Sequence, residues 1–399
     1  MTNNSIIKIL SVAFLFTLSI KLANAQENIS VNSGGTTQTN YFTELDYEDV
    51  AGKLIIKVAV QGKPYRFLLD TGAPNVITKS LFEELNSNSV NRAYVVDAAS
   101  NADSLAVTNL AEITIGNVVF NNIPTLVAND QFPMECLKVD GSIGSNMLRN
   151  SILQISSKTR KIVITDQPEK LNLNSKIYSD LHLDKLQSSP YIETHVGDKA
   201  SVMIPMLFDT GDSKFFSIAL EHYNACEKME IFEVLAESRG NGIIGAYGPE
   251  SDTIQYRLQM QKVNINGAIF KNANAQTTID KNSSIGSKLL NFANVTLDYR
   301  NKKFYIEPFQ TSSYLNAGLF PVSITMKDRK AVIGIVWDPG LKDKIAVNDE
   351  LLSIDEDIYT QVSPCDLLLK SKTFEGKDTA TVKLRSSSGK IKKIVLNRK

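Results

Sequence analysis

Two short stretches constrain this chain more than any others: Phe67-Leu68-Leu69-Asp70-Thr71-Gly72-Ala73 and Leu207-Phe208-Asp209-Thr210-Gly211-Asp212-Ser213. In each, an apolar run enters Asp-Thr-Gly directly, so a carboxylate is delivered to a turn at the end of a buried strand. Aspartate and glycine are turn residues for backbone reasons alone, and one such tripeptide would carry little meaning. A second copy at the same place in a longer pattern calls for two halves, each giving one aspartate to a shared site.

The longer pattern has further landmarks in one order. Before the first aspartate, alternation over Leu54–Val60 and a Gln61-Gly62-Lys63-Pro64 turn predict a hairpin whose returning arm is Tyr65–Leu69. Before the second, Pro190–Val196, a turn at Gly197-Asp198-Lys199 and Val202–Phe208 repeat it. A helical stretch follows each tripeptide, Lys79–Leu85 and the longer Ile218–Glu237. Then Ala111–Phe120 matches Gln261–Phe270, Ser142-Ile143-Gly144-Ser145-Asn146-Met147-Leu148 matches Ser284-Ile285-Gly286-Ser287-Lys288-Leu289-Leu290, and a strand pair over 153–164 matches one over 295–306. Matched order with slightly varying spacing is what an internal duplication with unequal loops produces.

With 399 residues, 43% of them hydrophobic and 22% charged, the chain has the length for several domains and an ordinary globular composition. Residues 1–25 read as a secretory signal peptide: Lys8, an apolar run over Ile9–Ile20, and Ala23-Asn24-Ala25 before the cut. The run is short for a membrane span, so no stable membrane anchor is expected, and the mature protein is expected to be exported, periplasmic or secreted. Residues 26–44, rich in Ser, Thr, Asn and Gly, read as a flexible lead-in. Forty-three basic residues balance 43 acidic ones, which argues against nucleic acid as a partner. Cys136, Cys226 and Cys365 form neither a disulfide framework nor a zinc spacing, leaving one bridge or three buried thiols as readings. His182, His195 and His222 stand in no metal spacing, and no metal or cofactor is expected.

Beyond a break at Gln310–Ser313 lie short alternating segments, 331–336, 350–354, 380–384 and 390–395, and one helix, Ser363–Leu369, opening on a serine cap with Pro364 next. These predict lobes at 45–168 and 169–310 and a small domain at 311–399.

Two carboxylates about 3 Å apart cannot both ionise, so they share a proton. One can then act as base on a trapped water while the other polarises a carbonyl. Thr71 and Thr210 would brace the turns, and Gly72 and Gly211 would let the backbone approach. The apolar-Asp-Thr-Gly run followed by Ile-Gly-x-x-x-Leu, present twice over about residues 50–308, resembles the retropepsin/pepsin-like aspartic proteases in a single-chain, two-lobed form. The resemblance implies a mainly β fold, a pseudo-symmetric acid-protease β-barrel pair, with Asp70 and Asp209 as catalytic residues and a monomeric catalytic unit. Where the family usually has a hydroxyl or alanine after Asp-Thr-Gly, this chain has Ala73 and Asp212. A lost donor, together with an added charge if Asp212 faces inward, raises the dyad's pKa values and predicts activity in mildly acidic to neutral conditions; a solvent-facing Asp212 would do nothing. The family's flap has two candidates, one around Tyr94 (94–101) and one at Gly242-Ile243-Ile244-Gly245 with Tyr247, the second closer to the retroviral tip.

Residues 317–355 resemble a PDZ domain, with Gly318-Leu319-Phe320 in the place of the loop that holds a peptide carboxylate, although Asn348 stands where that family has glycine. Together the resemblances imply an exported aspartic endopeptidase acting on peptides or proteins, with a PDZ-like domain that binds C-terminal peptides or a partner. The competing reading is a catalytically inactive peptide-binding protein of the same fold; a scaffold acting through the PDZ-like domain alone would leave the duplication without a purpose.

Overall fold

A computed structural model describes residues 30–129, 133–174, 177–315, 318–328, 330–360, 363–369, 374 and 376–399. The segment read as a signal peptide lies outside the described residues. The fold is mainly β, as the resemblance implied. In the first lobe, strand Lys53–Val60 turns at Gln61 (φ 48°) and Gly62 (φ 78°) into Lys63–Asp70, with Ile55 opposite Leu68. Left-handed backbone at both turn positions matches the right-handed twist of the flanking strands, so the arms stay paired up to the aspartate. The second lobe repeats the plan with Pro190–Val196 and Val202–Asp209, where Tyr191 faces Leu207.

Each aspartate strand also pairs in parallel with its Ile-Gly segment. Leu69 lies beside Ile143 and Asp70 beside Gly144; Phe208 lies beside Ile285 and Asp209 beside Gly286. Identical register in the two lobes is the structural form of the duplication. The glycines fit by close approach: a Cβ on Gly144 would lie 2.2 Å from the Pro74 carbonyl carbon, and one on Gly286 2.3 Å from the Lys214 carbonyl oxygen. Between the lobes, Ile152–Ser156 pairs with Ala293–Asp298, and Lys161–Thr165 and Lys303–Pro308 flank them, so one sheet crosses the boundary predicted at 168/169. The apolar faces of both lobes merge into a single core that includes Phe67, Ile143, Leu153, Phe208, Ile285 and Leu297.

Three expectations are corrected. Residues 30–44 are bound rather than loose. The Val31 amide donates to the Leu186 carbonyl (2.8 Å), Gly35 and Asn121 exchange two hydrogen bonds (2.9 and 2.8 Å), and Phe42–Asp46 is a strand against Lys161–Thr165. A polar stretch need not be solvated when neighbouring backbone takes up its hydrogen bonds. The helix expected over 218–237 is confined to Leu220–Cys226. Phe216–Ala219 is a strand beside Gln276–Thr278, and Glu233–Gly240 is another. Short apolar runs fit both periods, and burial inside the sheet decided for strand at Ile218. Ser312–Tyr314 pairs with Ile269–Lys271 and so belongs to the second lobe's sheet; the C-terminal sheet starts at Val322.

The C-terminal sheet runs in the order Val322–Lys327, Lys330–Val336, Glu350–Ile354, Thr379–Arg385 and Ile391–Asn397, with its own core of Ile333, Leu351, Val382, Leu384 and Leu396. Helix Pro364–Leu369 opens on Ser363, whose hydroxyl accepts from the Asp366 amide (3.2 Å) while the Asp366 carboxylate accepts from the Ser363 amide (2.9 Å). This helix packs on helix Met134–Leu137 of the first lobe, and a Cys136–Cys365 disulfide joins the two. Of the two cysteine readings, one bridge is the outcome, with Cys226 buried and free. Mapping of unreduced peptides is expected to recover the 136–365 linkage, and Cys136→Ser is expected to lower stability by about 2–4 kcal/mol, the usual range for a lost native bridge. A map with Cys226 in the bridge would overturn this pairing.

Candidate active site

The two Asp-Thr-Gly turns meet back to back. Thr71 Oγ1 donates to the Phe208 carbonyl (2.6 Å) and accepts from the Thr210 amide (3.0 Å); Thr210 Oγ1 donates to the Leu69 carbonyl (2.7 Å) and accepts from the Thr71 amide (3.1 Å). Both threonines are fully buried, and all four bonds cross between lobes. Asp70 Oδ1 accepts from the Gly72 amide (3.1 Å), and Asp209 Oδ1 from the Gly211 amide (2.8 Å). The carboxyls of Asp70 and Asp209 face each other across the lobe boundary closely enough for the charge of Asp70 to act on Asp209. Each glycine lies against the other lobe's acid: a Cβ at Gly72 would stand 2.5 Å from Asp209 Cγ, and one at Gly211 2.5 Å from Asp70 Oδ1. Any side chain at either position would displace a carboxylate.

Burial raises the pKa of both acids, since the charged form is poorly solvated there. Asp209 is pushed well above the usual carboxylate range, with the charges of Asp70 and Asp212 adding to burial. For Asp70 the rise is opposed by the Lys53 ammonium and by the hydrogen bond from Asp209. Asp212 is half-buried on the second turn, where its charge adds to the rise at Asp209. Its Oδ1 accepts from the Lys214 amide (2.9 Å) and its carbonyl from the Ser287 amide (2.8 Å). Ala73 offers no hydroxyl, but its carbonyl accepts from the Ser145 amide (3.1 Å), and Ser145 Oγ donates to the Thr71 carbonyl (2.7 Å).

Both flap candidates are hairpin tips, and they touch. The first joins Ser89–Val96 to Ala102–Ile115; the second joins Glu233–Gly240 to Thr253–Ile265 and carries the two short pairing segments Ile244–Gly245 and Gly248–Pro249. The Tyr247 amide donates to Asp97 Oδ2 (2.8 Å), and Asn101 Nδ2 donates to the Gly248 and Pro249 carbonyls (3.1 and 3.2 Å). Gly245 sits so close to Asp97 that a Cβ would stand 2.2 Å from Oδ2. The Gly242 and Ile243 amides donate to buried Glu250 Oε1 (2.7 and 3.1 Å), which fixes the second tip. Tyr94 projects outward, 51% exposed.

The loop expected to receive a peptide carboxylate is engaged within the chain. The Leu319 amide donates to the Lys399 carbonyl (2.6 Å), Arg257 of the second lobe donates to the Phe320 carbonyl, and the Phe320 ring is buried and stacked on Phe374. Gly318 lies against Arg398. The assignment of Gly318, Leu319 and Phe320 as a free carboxylate loop is therefore corrected: the Leu319 donor is already satisfied.

Three side chains beside the turns escaped sequence reasoning. Lys53 Nζ donates to the Gly211 carbonyl, and Gln187 Nε2 (3.1 Å) and Ser189 Oγ (3.4 Å) donate to the Gly72 carbonyl. They stand at the entry to the first hairpin strand of each lobe, where residue type carries no signal until the turns are docked across the lobe boundary.

Residues 56–147 match the sequence model of a family described as Aspartyl protease. No curated protein matches the chain. Among solved structures, a retropepsin-like aspartic protease from Rickettsia conorii is 19% identical, covering 32% of this chain and 92% of that one with a TM-score of 0.25. Conglutin gamma, a basic 7S globulin from lupine seeds, is 11% identical over 67% of this chain and 95% of its own (TM-score 0.38). Basic 7S globulin from soybean is 11% identical over 69% and 95% (TM-score 0.39). At residues 56–147, around Asp70-Thr71-Gly72, the chain is therefore similar to the aspartyl protease family.

Proposed function

We propose that the protein is an aspartic endopeptidase whose Asp70 and Asp209 activate a water between them for attack on a peptide carbonyl. The observation that carries this reading is the pair of buried carboxyls, each seated on the other lobe's glycine and brought together by the four threonine bonds between the turns. The ionised member takes a proton from water as it attacks; the protonated member donates to the carbonyl oxygen, and the pair titrates as a unit. The two touching hairpin tips would part to admit an extended peptide and close to exclude water, the usual work of flaps.

The raised pKa of Asp209 keeps one proton on the pair toward neutral pH. Activity is therefore expected in mildly acidic to neutral solution. The test is cleavage of a denatured-protein or peptide library across pH 3–8, with and without pepstatin. Pepstatin-sensitive cleavage supports the reading; a rate peaking near pH 2 contradicts the electrostatic part, and inertness at every pH contradicts catalysis. Asp212, an acid next to the second Asp-Thr-Gly, favours as second reading a non-catalytic peptide-binding protein, for which pepstatin would bind without any cleavage.

We read the C-terminal domain, whose sheet starts at Val322, as a PDZ-like module. With Leu319 engaged, a peptide would have to add along the edge strand Val322–Lys327. Export to an oxidising compartment is inferred from the signal-like N-terminus and supported by the Cys136–Cys365 bridge, since such bonds persist outside the reducing cytosol.

A further inference from the structure

The two lobes present equivalent positions to each other's catalytic turn, but with different chemistry. Ile55 faces Leu68, two residues before Asp70; Tyr191 faces Leu207, two residues before Asp209. Lys53 and Ser189, each two residues earlier, are thus counterparts in the duplication. Each reaches across the lobe boundary to the carbonyl of the other lobe's Asp-Thr-Gly glycine, Lys53 to Gly211 and Ser189 to Gly72. A cation stands on one side and a neutral hydroxyl, with the Gln187 amide, on the other.

The Lys53 side is built for close approach. Gly52 (φ +80°) brings the turn so near that a Cβ would meet the Ser213 side chain at 2.9 Å. Its carbonyl accepts from Ser287 Oγ and its amide donates to Asp49 Oδ1 (2.8 Å), so the turn is pinned from both sides. Gly211, which holds the ammonium on its carbonyl, carries the Asp70 carboxylate against its own Cα. The charged groups set around this point are Asp49 on the turn, Asp209 and Asp212 on the second Asp-Thr-Gly loop, and Asp70 from the first lobe. Asp212 shares its loop with Asp209, while the cation lies over the glycine that touches Asp70.

We propose that Lys53 is a positioning residue that breaks the two-fold symmetry of the dyad: its ammonium on the Gly211 carbonyl holds the ionised charge on Asp70 and leaves the shared proton on Asp209. Asp70 is then the base toward water and Asp209 the acid toward the peptide carbonyl. During attack the water proton passes to Asp70 and the Asp209 proton passes to the carbonyl oxygen, so the pair's net charge is unchanged. The charges agree with this division: Lys53 acts on both acids, but it is the leading effect opposing burial at Asp70, whereas at Asp209 it ranks behind the two acidic neighbours, Asp70 and Asp212. The assignment rests on the aspartic-protease reading.

The test compares Lys53→Met, Lys53→Arg and Ser189→Lys with wild type. Without the cation the acid limb of the kcat/KM–pH profile is expected to move up by about one unit, the smaller end of the effect of an opposite charge within 4–6 Å. Below that limb this is about a tenfold lower kcat/KM. Lys53→Arg restores the wild-type limb, and Ser189→Lys moves it down. In parallel, carbon-13 NMR titration of the Asp70 and Asp209 carboxyls reads the same shifts with no need for turnover. A limb and carboxyl titrations that stay in place in Lys53→Met, with only thermal stability lowered, would reduce Lys53 to a structural peg and overturn the proposal. If wild type cleaves nothing, the endopeptidase reading fails, and the NMR titration alone still decides whether Lys53 sets the charge of the pair.

Discussion

Asp70→Asn and Asp209→Asn are each expected to lower kcat/KM by about 10³- to 10⁴-fold while the folded protein becomes more stable at neutral pH. The loss follows from the chemistry: an amide can neither accept the water proton nor share a proton with its partner, and removal of a positioned acid–base group costs rates of this order. The gain follows from burial. Both carboxyls have folded-state pKa values above the ordinary one, because burial penalises their charged forms. An acid raised on folding contributes stability that is complete below its unfolded pKa, about 3.9, and lost as pH rises through the folded value. At pH 7 the pair is therefore at its least favourable, and a neutral isostere relieves it. We expect the melting temperature of Asp209→Asn to exceed that of wild type by about 1–2 °C per kcal/mol relieved, with the difference shrinking toward pH 4. Calorimetry at the two pH values and a peptide-cleavage assay read both effects. A variant that keeps a tenth of wild-type activity, or one that melts lower at pH 7, would show that the acid is not the buried partner described here.

The aspartates were legible because Asp-Thr-Gly recurs with its flanking hairpin and Ile-Gly partner, and a repeat reports equivalence without any coordinate. The parallel register of Asp70 with Gly144 and of Asp209 with Gly286 is that equivalence in three dimensions. Segments whose role depends on what they dock against were not legible. Residues 30–44 have the composition of a linker, yet Gly34 (φ +67°) lies so near Asn122 that a Cβ would fall 2.1 Å from its carbonyl oxygen, and only contact reveals that fit. Ile218 and Ala219 carry an apolar pattern that suits helix or strand, and the neighbouring strand Gln276–Thr278 decided between them. For the same reason Leu319 looked like a free donor: its partner, Lys399, is remote in sequence.

The same dependence on docking explains how the C-terminal domain relates to the cleft. The Asn241 amide donates to the Gly334 carbonyl (3.2 Å), and Ser238 Oγ donates to the Val336 carbonyl (2.6 Å), so the arm of the second hairpin is held by strand Lys330–Val336. Arg257 lies over the Trp337 ring, 4.5 Å from its centroid. On the opposite side, Cys365 ties the domain's helix to the first lobe. The domain thus grips both lobes, holding the arm of the second hairpin and leaving its tip to the contacts with Asp97 and Asn101.

Thr71→Val is expected to destabilise the protein by about 3–5 kcal/mol, and Thr210→Val by a similar amount. Valine keeps the shape of threonine but removes the hydroxyl. At position 71 that leaves the Phe208 carbonyl without its donor and the Thr210 amide without its acceptor, both inside the lobe interface. Each buried group so orphaned costs about 1–3 kcal/mol. The two threonines act as one four-bond unit, so the double variant is expected to lose less than the sum of the singles. Thr71→Ser keeps the hydroxyl and should fall within about 1 kcal/mol of wild type. Because these bonds set the separation of Asp70 from Asp209, activity should fall further than stability alone accounts for; a misplacement of about 1 Å can cost roughly a hundredfold. Denaturant unfolding of the four variants, with cleavage rates measured where each remains fully folded, separates the two effects. A Thr71→Val protein as stable as the serine variant would mean that the hydroxyl network does not hold the turns together, and the symmetry of the site would need another origin.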